Sequence, residues 1–136
     1  MTKKVLAFGT FDLLHEGHKY FLNEAKKYGD KMFVVIARDK TVLRVKGFLP
    51  KQNENERIKN IEKLKIADKV ILGSENDYYS ILSEIKPDII CLGYDQTAFV
   101  DNLEKEIESR GLKTKIIRIK PLHPEKYKSS IMRNTK

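Results

Sequence analysis

The sequence predicts an α/β protein: a single Rossmann-like domain over residues 1–136, with a five-stranded parallel sheet and helices on both faces. Three observations lead to this prediction. Short apolar runs rich in valine and isoleucine alternate along the chain with stretches of helical period. Most of the runs are apolar at nearly every position, as in strands that are buried on both faces. The length suffices for one core, and no repeat or shift in composition marks a second domain.

Each element follows from its own local pattern. The strands are the short apolar runs at residues 4–9, 32–37, 69–72, 88–92 and 114–119. The helices are the stretches with helical spacing or end signals at residues 17–28, 53–65, 78–85 and 99–110, and a short last helix that starts at Ser129. Gly29 and Gly111 follow two of these helices at the usual capping position, and Pro87 ends a third. Gly47 and Pro50 mark residues 45–51 as a loop.

The composition limits the classes of protein that the chain can belong to. The formal net charge of +8 favours anionic partners, but the lysines are spread along the chain and most are expected on solvated helix faces. No apolar run approaches the ~20 residues of a membrane span, and the first residues lack a signal-peptide core. A cytoplasmic protein is therefore expected. The single cysteine, Cys91, lies in an apolar run and is predicted to be a core residue, not a nucleophile.

The turn after the first strand carries the chemistry. Residues 9–18 read GTFDLLHEGH, and a turn of this kind between a strand and a helix can direct backbone N–H groups at a phosphate. His15 and His18 are three residues apart, so both point from one side of the helix start. Gly17 between them lets a base or ribose approach the backbone. Together with the partial positive charge of the helix N-terminus, this arrangement suits a phosphoryl-transfer transition state without a covalent nucleophile.

Two other interpretations of the histidines are open to the sequence. They could be ordinary surface residues, or they could be half of a zinc site. The other candidate ligands for zinc are His123 and Cys91, and a set of three or four ligands is hard to assemble from them. If a metal takes part in catalysis, Mg²⁺ or another divalent cation carried on the nucleotide phosphates is expected.

Polar residues follow several of the predicted strands. The turn at residues 9–18 follows the first strand, Asp39 the second, residues 93–96 the fourth and residues 126–130 the fifth. In an open parallel sheet, ligands bind beyond the carboxyl ends of the strands, where the strand order reverses. The sequence therefore predicts one crevice at this edge that holds a nucleoside triphosphate.

The GTFD and HEGH segments resemble the signature of the cytidylyltransferase-like nucleotidyltransferases, which carry an HxGH motif. Residues 128–131, KSSI, resemble the Ser/Thr-rich motif at the start of a late helix in that family. The resemblance implies that a nucleoside monophosphate passes from an NTP to a phosphorylated acceptor, with release of pyrophosphate. It implies site roles as follows: His15 and His18 stabilise the transition state, Thr10, Phe11, Glu16 and Gly17 contact the nucleotide, and Ser129 and Ser130 bind the β- and γ-phosphates.

Two basic residues are further candidates. Lys46, on the predicted glycine-containing loop, could reach the triphosphate as a mobile cation, or it could be a solvated loop residue. Arg57 stands where the family often has an arginine that binds the acceptor or a phosphate. It could equally form a helix-surface ion pair with Glu54 or Glu56.

Three more residues carry weaker predictions. Asp39 could hold a substrate hydroxyl or a metal, or it could cap a helix. Asp12 is predicted mainly as a turn former. Tyr127 could stack on a base, although exposed loop tyrosines are common.

Two subfamilies compete for the substrate. Glycerol-3-phosphate cytidylyltransferases carry a tryptophan after the fourth strand and an arginine ahead of the late Ser/Thr motif, whereas this chain has no tryptophan and has lysines at the second place. Residues 37–42, the loop at residues 46–47 and residues 87–96 resemble the archaeal-type FAD synthases, which transfer AMP from ATP to FMN. That resemblance implies that Asp95 contacts the adenosine part of ATP; otherwise Asp95 caps a helix.

The partners follow from this resemblance. Small-molecule substrates, an NTP and a phosphorylated acceptor, are expected, and a homodimer is common in the family. A non-catalytic nucleotide-binding or RNA-binding protein on the same fold is the remaining alternative. No basic patch with interleaved aromatic residues occurs in the sequence, so nucleic acid is not an expected partner.

Overall fold

The part of the chain that the structure describes contains five parallel strands and five helices, which alternate except between the second and third strands, where two helices follow one another. The structure is a computed structural model, and it describes residues 2–75, 77–93, 96 and 102–121. The elements in chain order are β1 (Lys4–Gly9), α1 (Glu16–Lys26), β2 (Lys31–Ile36), α2 (Asp39–Lys46), α3 (Glu54–Leu64), β3 (Lys69–Leu72), α4 (Ser80–Ile85), β4 (Ile89–Leu92), α5 (Leu103–Ser109) and β5 (Lys115–Arg118).

The strands form one sheet in the order β3-β2-β1-β4-β5. All four pairings are parallel, and β1 lies in the centre: its Ala7 is opposite Val34 of β2 on one side and Cys91 of β4 on the other. The chain runs outward from β1 through β2 to β3, and then returns to build β4 and β5 on the opposite side. The strand order therefore reverses between β1 and β4, which is where open parallel sheets bind ligands.

Helices cover both faces of the sheet, as the sequence predicts. Alternate residues of β1 point to opposite faces, because side chains alternate along a strand. Val5 and Ala7 pack in the core on the side of α1 and α3, whereas Leu6 and Phe8 pack on the side of α4 and α5. Cys91 is fully buried in the first of these cores, and burial raises the pKa of its thiol to about 12. The prediction that it is a core residue is confirmed.

Helix α2 is the main correction to the predicted elements. The sequence predicts a loop over residues 45–51, but Val45 and Lys46 form the end of this helix. Only Thr41 and Val42 of α2 are buried, and the helix has just eight residues, so its sequence pattern is too short to identify a helix. Gly47, with φ +86°, ends the helix in the left-handed conformation.

The other boundaries agree with the prediction to within a few residues, except at the start of α5, where residues 97–101 lie outside the described part. The last helix predicted from Ser129 lies outside it as well. None of the described helices is long and apolar enough to cross a membrane.

Candidate active site

The turn between β1 and α1 is held in an unusual shape by Phe11. Phe11 and Leu13 both have φ of 52°, a value that L-residues rarely adopt. The Phe11 ring folds back over Gly9, where an added Cβ would lie only 2.5 Å from the ring. The ring is buried in the core and meets the edge of His18, with 5.6 Å between ring centroids. Because the side chain is buried, only the backbone of Phe11 is available for the predicted contact with a nucleotide.

His15 and His18 together cap the N-terminus of α1. The Nδ1 atom of His15 accepts a hydrogen bond from the Gly17 amide at 3.0 Å, and Nδ1 of His18 accepts one from the His15 amide at 3.3 Å. The two rings are stacked, with centroids 3.9 Å apart. A Cβ on Gly17 would lie 2.8 Å from Cε1 of His15, so glycine leaves room for this ring position.

This arrangement sets the donors that the two rings offer. A neutral imidazole carries one proton, and an Nδ1 that accepts a hydrogen bond leaves that proton on Nε2. Burial, together with the neighbouring His15, lowers the pKa of His18 from 6.5 to about 4, while Asp12 opposes the shift. At neutral pH, His18 is therefore an uncharged donor through Nε2–H, suited to an oxygen that gains negative charge.

The depressed pKa of His18 predicts a pH dependence of stability. The unfolded chain binds the proton with its ordinary pKa of 6.5 and the folded protein with a pKa of about 4. The unfolded state therefore binds more protons between these values, and the free energy of unfolding falls as pH drops from 6.5 towards 4. We expect His18 to account for a loss of about 1–2 kcal/mol between pH 7 and pH 5.

Urea denaturation at pH 7 and pH 5 measures this loss. A His18→Asn variant removes the titrating group and should lose less stability than the wild-type protein over the same interval. Equal losses in the two proteins would contradict the assignment.

Lys46 brings a cation to the same turn. It is the last residue of α2, and its Nζ lies 3.4 Å from Oγ1 of Thr10. The lysine side chain is long and flexible, so the charge can follow an anion bound at the turn. The structure thus places the predicted residues Thr10, His15, His18 and Lys46 on or against one turn, with Glu16 and Gly17 in the first turn of α1.

Asp12 joins this turn to the segment before α3. Its carboxylate accepts hydrogen bonds from the backbone amides of Lys51 at 2.8 Å and Gln52 at 2.9 Å. In return, the Leu13 amide donates to Oε1 of Gln52 at 3.0 Å. Asp12 therefore does more than form a turn. The sequence does not indicate that Gln52 contacts this turn, because the residues to which it is bonded there lie about 40 positions away in the chain.

Arg57 is fully buried, contrary to the alternative of a surface ion pair with Glu54 or Glu56. Its Nη2 pairs with the Asp39 carboxylate at 2.6 Å, its Nη1 donates to the Thr10 carbonyl at 2.9 Å, and its Nε donates to the Gln52 carbonyl. The guanidinium is thus directed at protein groups. This geometry makes Arg57 a positioning residue that holds Thr10 in place.

Asp39 and Glu54 cap the N-termini of two helices reciprocally. The Asp39 carboxylate accepts from the amide of Glu54 at 3.2 Å, and the Glu54 carboxylate accepts from the amide of Asp39 at 2.9 Å. Of the alternatives for Asp39, the geometry favours the helix cap, but the helix that it caps is α3 and not its own.

The segment after β4 closes on the end of β1 at the reversal of strand order. Nε2 of Gln96 donates to the Phe8 carbonyl at 3.2 Å, and the Gly93 amide donates to Oε1 of Gln96. Arg118 donates to the carbonyls of both Gly93 and Gln96. The predicted site residues Asp95, Tyr127, Ser129 and Ser130 lie outside the described residues. Among the residues that are described, no group of three or more His, Cys, Asp or Glu side chains could hold a metal ion.

The fold and the histidine turn define a class of protein. The sheet places a pair of histidines at a helix N-terminus where the strand order reverses, which is where open parallel sheets bind phosphorylated ligands. A family model described as cytidylyltransferase-like matches residues 6–135, and the chain belongs to this family.

Archaeal FAD synthases are among its similar proteins. The FAD synthase of Methanosarcina mazei is 52% identical over 123 residues, which is 90% of this chain and 79% of that protein. The FAD synthase of Archaeoglobus profundus is 46% identical over 128 residues, which is 93% of this chain and 81% of that protein.

Solved structures agree with the fold. A lipopolysaccharide core biosynthesis protein from Thermoplasma volcanium is 43% identical, with a TM-score of 0.82, and the match covers 90% of this chain and 99% of that one. Pantoate-beta-alanine ligase from Francisella tularensis shares the fold at 19% identity, with a TM-score of 0.60 over 89% of this chain and 63% of that one.

Proposed function

We propose that this protein is an FAD synthase, which transfers AMP from ATP to FMN and releases pyrophosphate. The stacked His15–His18 pair, with both Nδ1 atoms engaged and both Nε2–H groups left to donate, carries the reaction class. The similarity to several archaeal FAD synthases over about nine-tenths of the chain supports the choice of substrates. The absence of tryptophan, which glycerol-3-phosphate cytidylyltransferases carry after the fourth strand, agrees with this choice.

In the proposed reaction, a phosphate oxygen of FMN attacks the α-phosphorus of ATP in line with the leaving group. The bond between the α-phosphorus and the bridging oxygen to the β-phosphate breaks, and pyrophosphate leaves with the electron pair. Negative charge grows on the α-phosphate oxygens and on the leaving group. His15 and His18 donate hydrogen bonds to these oxygens through Nε2–H, and Lys46 adds positive charge beside Thr10.

The other residues would hold the nucleotide. Glu16 and Gly17 lie in the first turn of α1, where backbone N–H groups favour a phosphate. We assign Asp95 and Tyr127 to the adenosine part of ATP, and Ser129 and Ser130 to the β- and γ-phosphates. These four assignments depend on the sequence motifs.

Mg²⁺ or another divalent cation would enter with the ATP phosphates, since such ions are usually bound by substrate phosphates and few protein ligands. This fits the described turn, because the nearby carboxylates of Asp12 and Asp39 are already engaged by amides and by Arg57. The ion would neutralise charge on the phosphates. We place the enzyme in the cytoplasm and propose that it acts as a homodimer.

A turnover assay tests the proposed function. The protein is incubated with Mg²⁺, ATP and FMN, and FAD and pyrophosphate are measured by chromatography and by a coupled assay. We expect equal amounts of the two products. A parallel reaction with CTP and glycerol 3-phosphate should give no pyrophosphate. A folded protein that forms no FAD, or that uses CTP and glycerol 3-phosphate instead, would overturn the proposal.

A further inference from the structure

Exposed apolar side chains are concentrated beside the candidate active site. Among the described residues, six large hydrophobic side chains are exposed, and four of them lie in residues 43–49: Leu43, Val45, Phe48 and Leu49. Phe48 is 60% exposed and Leu49 is 58% exposed. Exposed apolar residues that occur singly need no explanation, but several of them in one short segment beside a site make that segment a candidate binding surface. We call residues 43–49 the apolar segment.

Hydrogen bonds fix where the apolar segment lies. Lys46 belongs to it, and its Nζ reaches Thr10 of the histidine turn. Two residues beyond Leu49, the amide of Lys51 is bonded to Asp12, and the next amide along is bonded to the same carboxylate. The segment is therefore attached to the turn that carries His15 and His18 at its middle residue and again just beyond its C-terminal end. Leu13, a fifth exposed apolar residue, belongs to that turn.

The apolar segment matches the acceptor of the proposed reaction. FMN carries its charge on one phosphate and most of its apolar surface on one flat aromatic ring, and the ribityl chain separates the two. Phe48 is two residues from Lys46, so their Cα atoms are at most about 7 Å apart. A cation beside the histidine turn, followed two residues later by an exposed aromatic ring, has the same order of charge and ring as FMN.

We propose that the apolar segment binds the isoalloxazine ring of FMN, with Phe48 as the aromatic contact and Leu49 beside it. Aromatic rings stack favourably, and burial of the exposed Phe48 side chain adds to the gain. This inference rests on the proposed function and assigns its acceptor specificity to named residues.

A second surface nearby fits the ring less well. A depression of about 470 Å³ lies between α1 and α3 and is lined by Leu13, Leu64, Lys19 and Asn60 among others. Its polar groups are partly engaged, since Lys19 pairs with Glu16 and Asn60 donates to Gln52. Among the described residues, no aromatic side chain lines this depression.

Steady-state kinetics of variants tests the proposal. For Phe48→Ala we expect the KM for FMN to rise about tenfold, while kcat and the KM for ATP stay within about twofold of wild type. Phe48→Tyr, which retains the ring, should restore the KM for FMN. Riboflavin, which has the ring without the phosphate, should compete with FMN, and Phe48→Ala should weaken this competition by the same factor.

Tyr28 provides the matched control. It is 40% exposed and lies beyond the other end of α1, away from the histidine turn, so Tyr28→Ala should leave every constant unchanged. Circular dichroism checks that each variant is folded.

The outcomes separate this inference from the proposed function. A wild-type protein that forms no FAD overturns both. If wild type forms FAD, an unchanged KM for FMN in Phe48→Ala overturns the inference alone, as does failure of riboflavin to compete. A change in molecular mass by sedimentation, with the KM for FMN unaltered, would assign the apolar segment to contact between chains and would also overturn it.

Discussion

A His18→Ala variant is expected to form FAD about a thousandfold more slowly than the wild-type protein. The substitution removes a donor that is aimed at charge developing in the transition state, and loss of one such donor costs about 10²–10³ in rate. It also removes the acceptor for the His15 amide, so the partner ring loses its support. The rate of FAD formation at saturating ATP and FMN measures the effect. Titration calorimetry should show ATP binding that changes far less than the rate.

His18→Asn separates the two functions of this residue. The asparagine carbonyl oxygen can take the place of Nδ1 as the acceptor for the His15 amide, but the side chain has no group at the position of Nε2. This variant should be nearly as stable as wild type at neutral pH and nearly as inactive as His18→Ala. Substantial activity in His18→Asn would show that the Nε2–H donor is not what His18 contributes.

Replacement of Arg57 by methionine is expected to lower the free energy of unfolding by about 3 kcal/mol. Removal of one partner from a buried ion pair leaves the other charge uncompensated, which typically costs 3–5 kcal/mol; Asp39 is partly exposed, so the lower end applies. The Thr10 and Gln52 carbonyls lose their donors at the same time. Urea denaturation measures the stability. Activity should fall as well, because Thr10 is no longer held in place.

Arg110→Met is the matched control for Arg57. Arg110 also pairs with a carboxylate on the protein, that of Glu106, but both side chains are partly exposed. Ion pairs of this kind contribute about 1 kcal/mol or less. If the two arginine variants are equally stable, burial does not give Arg57 the importance that we assign to it.

Local signals were enough to predict the sheet and the histidine turn. The β-branched runs predict all five strands. In β1, β2 and β4 most positions are buried, as successive apolar residues indicate, whereas the edge strands β3 and β5 are only partly buried. The spacing of His15 and His18 corresponds to the N-cap and N3 positions of a capping box, in which histidine nitrogens replace the usual oxygens. That signal is visible in the sequence once histidine is counted among the capping residues.

Contacts between distant residues could not be predicted in the same way. Arg57 meets Asp39 across 18 residues and Thr10 across 47, and its helix alone suggests a surface position. Helix α2 was missed because tertiary contacts at its first turn support it, through Asp39 and Glu54, while most of its side chains remain in solvent. A sequence pattern shows which residues are buried along one element. The contacts of Arg57 and of α2 depend instead on how several elements pack together, so no local pattern predicts them.

The central position of β1 has a consequence for synthesis on the ribosome. One edge of β1 can pair with β2 as soon as residue 36 leaves the ribosome, but its other edge pairs with Ile89–Cys91. At ~5–20 residues per second, the nascent chain needs about 3–10 s to extend from residue 36 to residue 89. During that time Val5–Ala7 present an unpaired, apolar strand edge, the kind of edge that recruits other chains. Incomplete chains are thus expected to depend most on chaperones, and the switch point between β1 and β4 forms only when β4 arrives.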